Sequence, residues 1–181
     1  MGPPGVGKGT QAKILKEELG IIHLSTGEIL RREIAIKSDI GEIAKEFIDQ
    51  GKLVPDNFLL DIVRDRIKKP DSSSGYLLDG FPRTIPQAIG LNTINKTHSN
   101  HLDAAINLTA DEDELIKRIL IRKKQDPNRS DDSLSIIKKR QQVYWRQTAP
   151  LIGFYKKMGI LKNVNGLGKI EKVTKLILEL I

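Results

Sequence analysis

Cysteine is absent from the 181 residues, which removes disulfides, thiolate metal ligands and cysteine nucleophiles in one step. Aromatic residues are scarce: one Trp, three Tyr and four Phe make no obvious stacking platform for single-stranded nucleic acid. No uncharged run approaches the roughly 20 apolar residues that a membrane-spanning helix needs. The opening Met1-Gly2-Pro3-Pro4-Gly5 lacks the basic start and apolar middle of a signal peptide. Gly and Pro, at 15 and 8, follow no period, so collagen-like and low-complexity classes drop out as well. A globular chain with no membrane partner, expected in the cytoplasm, remains. Without an internal repeat or a separating linker, residues 1–181 read as one domain.

Charge is present in excess and is localised. The net charge is +7, and residues 117–146 carry ten basic side chains against three acidic ones, so the rest of the chain balances. Such a cluster suits a polyanion, and nucleic acid and nucleotide phosphates satisfy it equally well at this level.

Apolar periodicity predicts helices over 10–20, 28–36, 40–50 and 57–68, a weak one over 85–95, and others over 112–124, 130–146 and 170–181. Short strands are predicted at 23–27, 76–79, 103–108 and 161–165. Strands separated by helices mean an α/β class with a parallel sheet, whose ligands bind beyond the carboxyl ends of the strands.

Gly2-Pro3-Pro4-Gly5-Val6-Gly7-Lys8-Gly9-Thr10 opens directly onto the first helix. Its glycines let successive backbone N–H groups converge on an anion where the helix dipole adds positive potential. Lys8 would reach the β- and γ-phosphates, although Gly9 intervenes before Thr10 and loosens the match to the generic phosphate-loop pattern. Asp79 closes an apolar strand, as a magnesium-associated carboxylate does in phosphate-loop enzymes, though alone it reads equally as a turn former. Gly80-Phe81-Pro82-Arg83-Thr84 puts a guanidinium on the loop beyond it. Arg31, Arg122, Arg129 and Arg140 add the positive charge that transfer between two nucleotides requires. His23, His98 and His101 form no metal constellation, and Tyr144 and Trp145 read as core or hinge packing.

GPPGVGKGTQ (2–11), STGEILR (25–31), GKLVP (51–55), LLDGFPRTIPQA (77–88), the Arg118/Arg122 pair, RSDD (129–132), KKR (138–140) and QTAPLI (147–152) resemble adenylate kinase, in order and across nearly the whole chain. The resemblance implies a phosphate-loop kinase core with a five-stranded parallel sheet, a helical AMP-binding insertion at 25–54 and a lid at 122–132. It implies ATP, AMP and ADP as partners, Mg²⁺ as cofactor, and a monomer. It assigns Gly5, Val6, Gly7, Lys8, Gly9 and Thr10 to the ATP phosphates, Arg122 to the ATP side and the backbone near Gly168 to its adenine. It assigns Thr26, Arg31, Lys52, Leu53, Val54, Gly80, Phe81, Pro82, Arg83 and Gln87 to AMP. Arg129 and Arg140 would bridge the transferring group, and Asp79 would act on Mg²⁺ through water. The lid is short: eight residues lie between Arg122 and Asp131, without Cys or His, so the zinc-carrying long lid of some relatives is excluded.

Family members carry an apolar strand just before the phosphate loop, whereas here Met1 directly precedes Gly2. The sheet is therefore expected to lack its first, central strand, leaving its neighbours unpaired and a slot in the core. Three alternatives stand beside the adenylate reading: a UMP/CMP kinase on the same scaffold, a nucleic-acid binder using 117–146, and a nucleotide-binding remnant without turnover. Thr26 and Gln87, on the adenine side in the resemblance, argue against the first. The interleaved acids and the lack of aromatics argue against the second.

Overall fold

A computed structural model describes residues 1–125 and 133–181. In chain order the elements are α1 (Lys8–Leu19), β1 (Ile22–Ser25), α2 (Thr26–Ala35), α3 (Asp39–Asp49), α4 (Asp56–Ile67), β2 (Tyr76–Asp79), α5 (Ile85–Thr97), β3 (Ala105–Thr109), α6 (Glu112–Gln125), α7 (Leu134–Val143), α8 (Pro150–Lys157), β4 (Leu161–Asn165) and α9 (Ile170–Leu178). Local chemistry accounts for many of the boundaries. Ser25, Ser38, Thr84 and Ser133 accept hydrogen bonds from the first-turn amides of α2, α3, α5 and α7, and Gly20 ends α1 in the left-handed region.

Two features depart from the helical periodicity. Residues 130–146 do not form one helix: α7 ends at Val143 and a π-helical turn, Tyr144–Thr148, follows it. Pro150 then opens α8, which the periodicity missed; proline suits a helix's first turn, where its absent N–H has no bond to lose.

The sheet expected to be one unit of five strands consists, among the described residues, of two parallel pairs, β1·β2 and β3·β4. Ser25 lies opposite Asp79 in the first pair and Leu108 opposite Val164 in the second. Between the pairs sits Met1, whose amine donates to the Ile106 carbonyl while its own carbonyl accepts from Leu108 N–H at 3.0 Å. Bonds to residues 106 and 108 put Met1 in parallel register with Asn107. Among the described residues no further strand pairs between β2 and β3.

The core is divided accordingly. One cluster gathers Leu24, Leu30, Val54, Leu59, Val63, Phe81 and Leu91 beneath β1 and β2, and another gathers Val6, Leu15, Leu108, Leu115, Val164 and Ile177 around β3 and β4. Helices α1 and α9 pack together on one side, and α4, α5 and α8 form a chain of contacts on the other. Among the described residues no helix is long and apolar enough to cross a membrane.

Candidate active site

At the carboxyl ends of the strands lies a cavity of about 1210 Å³ that runs down into the space between β2 and β3. Its wall takes in the loop from Gly5 to Thr10, Thr26, Arg31, Lys52 to Val54, Asp79 to Arg83, Arg122, Arg140 and Gly168. Of the site residues named from the sequence, Gln87 is missing from the wall, and Arg129 lies outside the described residues, as does most of the lid. The remaining candidates come together from positions as far apart as 5 and 168.

On the phosphate-loop side, Gly5 cannot be replaced without strain. Its φ is 89°, and a Cβ there would meet the Leu115 carbonyl oxygen at 2.7 Å and Ile119 Cγ1 at 2.9 Å, so the loop runs hard against α6. Gly7, also left-handed, ends the loop and starts α1, and nothing lies within 4 Å of where its Cβ would be. The Lys8 ammonium folds back over this loop and donates to the carbonyls of Gly2 and Pro3 at 2.7 and 2.9 Å. Burial lowers its pKa to about 7; Arg83, Arg140 and Arg122 push the same way, and Asp79 opposes them. Four cations from four separate segments thus converge on one cavity.

Asp79 stands at the end of β2, close to the start of α1: a Cβ on Gly9 would lie 3.5 Å from its Oδ2. Burial alone would raise this carboxyl, but the His23 imidazole, Lys8 and the chain's amino group outweigh that and hold it below the usual carboxylate range. Its Oδ2 is 3.7 Å from His23 Nε2, a buried nitrogen without a hydrogen-bond partner. His23, which the sequence left outside any metal constellation, therefore lies against Asp79 from behind the cavity wall. The available signal was positional: β1 and β2 run parallel and end together, so their side chains share the same end of the sheet.

The opposite wall is tied down. Gly80 has a φ of 80°, and a Cβ on it would come within 3.0 Å of Thr26 Oγ1 and 3.1 Å of Arg83 Nη2, so glycine brings these two polar groups close to the backbone. Thr26 Oγ1 donates to the Asp79 carbonyl at 3.4 Å, and Arg83 Nε donates to the Gly80 carbonyl at 2.8 Å. The Arg31 guanidinium lies back over Gly27. Gln87 is fully buried behind the loop, where its Oε1 accepts from Arg83 N–H at 2.7 Å and its Nε2 donates to Asp56 Oδ1 at 2.7 Å. Asp56 was not among the sequence candidates.

One cavity thus joins a glycine loop at a helix N-terminus to an arginine loop, an arrangement that suits phosphate groups. Comparison with known proteins identifies the family. The model of the adenylate kinase family matches residues 1–160. The adenylate kinase of Leptospira biflexa serovar Patoc is 47% identical over 179 residues, covering 99% of this chain and 96% of its own. That of Kocuria rhizophila is 45% identical over 178 residues, covering 98% and 94%, and that of Parvibaculum lavamentivorans is 44% identical over 176 residues, covering 96% and 86%.

The chain belongs to the adenylate kinase family. Its activity is the transfer of a phosphoryl group between adenine nucleotides. Arg118, which the resemblance pairs with Arg122, is engaged elsewhere: it donates to Glu114 Oε1 at 3.0 Å and to the Gly166 carbonyl at 3.1 Å, tying α6 to the loop after β4.

Proposed function

We propose that the two walls of this cavity divide the reaction ATP + AMP ⇌ 2 ADP between them. ATP lies along Gly5–Thr10, its β- and γ-phosphates taken by backbone N–H groups and Lys8, with Arg122 beside them and its adenine near Gly168. AMP lies against Thr26, Arg31, Lys52, Leu53, Val54 and the Gly80–Arg83 loop, with Gln87 acting from behind that loop. Arg140, and Arg129 from the lid, neutralise the group in transfer. An AMP phosphate oxygen attacks the γ-phosphorus in line, the bond from that phosphorus to the β–γ bridging oxygen breaks, and its electrons stay with the departing ADP. No side chain forms a covalent intermediate, so the protein acts by placement and charge.

Mg²⁺ would travel with ATP and neutralise charge between its outer phosphates. The donor set fits that role: Asp79, held ionised beside the start of α1, can accept from the ion's water shell without ligating it. Closure of the 25–54 insertion and the lid would exclude water and prevent wasteful hydrolysis. We place the enzyme in the cytoplasm, as a monomer.

The convergence of Lys8, Arg83, Arg122 and Arg140 on one cavity carries this reading. Incubation with MgATP and AMP should give ADP. Transfer to CMP or UMP at equal or greater efficiency than to AMP would overturn the division of the site.

A further inference from the structure

Asp56 is the first residue of α4 and follows directly on the Lys52–Val54 segment and Pro55. It is half-buried, and it is absent from the cavity wall. Its carboxylate makes two bonds, both into the start of α5. Oδ2 accepts from Thr84 Oγ1 at 3.0 Å and Oδ1 accepts from Gln87 Nε2 at 2.7 Å. Thr84 Oγ1 in turn accepts from the Gln87 backbone N–H at 3.2 Å, and Gln87 Oε1 accepts from Arg83 N–H at 2.7 Å. The chain of bonds ends at the backbone of the arginine, whose guanidinium is turned onto Gly80.

The polarity of this chain is set at both ends, by a carboxylate that only accepts and by an Arg83 N–H that only donates. An ionised carboxylate can only accept, while a primary amide is donor at one end and acceptor at the other. With Asp56 in place, the Gln87 nitrogen must face the carboxylate, so its oxygen must face Arg83 N–H. An amide turned the other way would set its NH₂ against the Arg83 N–H, two donors facing each other in a fully buried space.

We propose that Asp56 is a positioning residue for the phosphoryl acceptor. By fixing the orientation of the Gln87 amide and the Thr84 hydroxyl, it sets the pose of the loop that presents Arg83. This rests on the reading of Arg83 as an acceptor-side residue.

The prediction separates positioning from general stability through the acceptor's KM. Asp56→Asn keeps the shape but lets the side chain at 56 donate, and it should raise the KM for AMP by about tenfold, the loss of one to two net hydrogen bonds, with the KM for ATP within about twofold. The decisive variant is the exchanged pair. In Asp56→Asn combined with Gln87→Glu, the carboxylate moves to position 87, still accepts from Arg83 N–H, and accepts from the new amide at 56. The pair should restore the KM for AMP to within about threefold of the parent, whereas Gln87→Glu alone sets two carboxylates face to face and should be the worst of the series. Gln87→Met, of matching shape, gives a second single variant should either polar change prevent folding, and it should raise the KM for AMP as Asp56→Asn does. Arg83→Ala serves as the control for the underlying reading. If Arg83→Ala weakens AMP while Asp56→Asn and Gln87→Met leave its KM unchanged, the positioning role is overturned and the site stands. If the singles raise the KM for AMP but the exchanged pair gives no recovery, polarity is not what Asp56 supplies, and the proposal fails. If Arg83→Ala leaves AMP untouched, the acceptor-side reading fails and the proposal with it.

Discussion

The two walls of the cavity are held in different ways. On the wall proposed for the acceptor, Thr26 bonds the Asp79 carbonyl and Arg83 bonds the Gly80 carbonyl, and behind it Gln87 joins Arg83 N–H to Asp56. On the wall proposed for the donor, Lys8 rests on the carbonyls of its own loop. One wall is thus tied by bonds within the protein, while the other holds a buried ammonium crowded by three arginines. A preorganised wall costs little to occupy; a wall of crowded cations is costly until an anion fills it.

Removing the parked cation should have the largest effect. Lys8→Ala should lower turnover by about 10²–10³, the loss seen when one preorganised contact to developing charge is taken away. The thermal midpoint of the ligand-free protein should stay level or rise, because the same ammonium is disfavoured by burial and by three arginines. Steady-state kinetics and calorimetry on one preparation test both halves. A variant that kept most of its activity would reduce the loop to a helix start and erase the contrast between the walls.

The acceptor wall should respond on its own. Arg83→Ala and Arg31→Ala should each weaken AMP by roughly 10–100-fold, since charged hydrogen bonds contribute about 1.5–3 kcal/mol, with ATP affinity nearly intact. Calorimetric titration of each nucleotide distinguishes the two. Equal losses for ATP and AMP would mean that the walls are not separate sites.

Much of this contrast was legible in the residues, and the reasons for the rest are physical. The glycine spacing at 2–9 and the acid closing β2 announced both walls because backbone approach and strand ends have local signatures. Asp56 did not, since an acid at a helix start reads as a favourable first-turn charge; its bonds reach positions 84 and 87, which only the fold brings near. His23 escaped for a similar reason, its neighbour lying on another strand. The π-helical turn at Tyr144–Thr148 breaks a periodicity that continued through it, with Tyr144 buried while Trp145 is 57% exposed.

The smallest effect is a proton. Lys8 has a pKa of about 7 in the folded, ligand-free protein against 10.5 for a free side chain, lowered by burial first and then by the neighbouring arginines. Between those values the unfolded chain binds more protons than the folded one, so this group makes folding stability rise as the pH climbs from about 7 toward 10.5. ATP phosphates placed beside the ammonium reverse the shift, because opposite charge favours the charged form. Binding of MgATP at pH 8 should therefore take up a substantial fraction of one proton, while binding at pH 6, where Lys8 is already charged, should take up almost none. AMP, held by the arginine loop, should show much less uptake at either pH. Titration calorimetry in buffers of different ionisation enthalpy measures the uptake directly, and Lys8→Met should abolish it. Equal uptake for ATP and AMP, or uptake that survives Lys8→Met, would show that the unfavourably held cation is not confined to the donor wall.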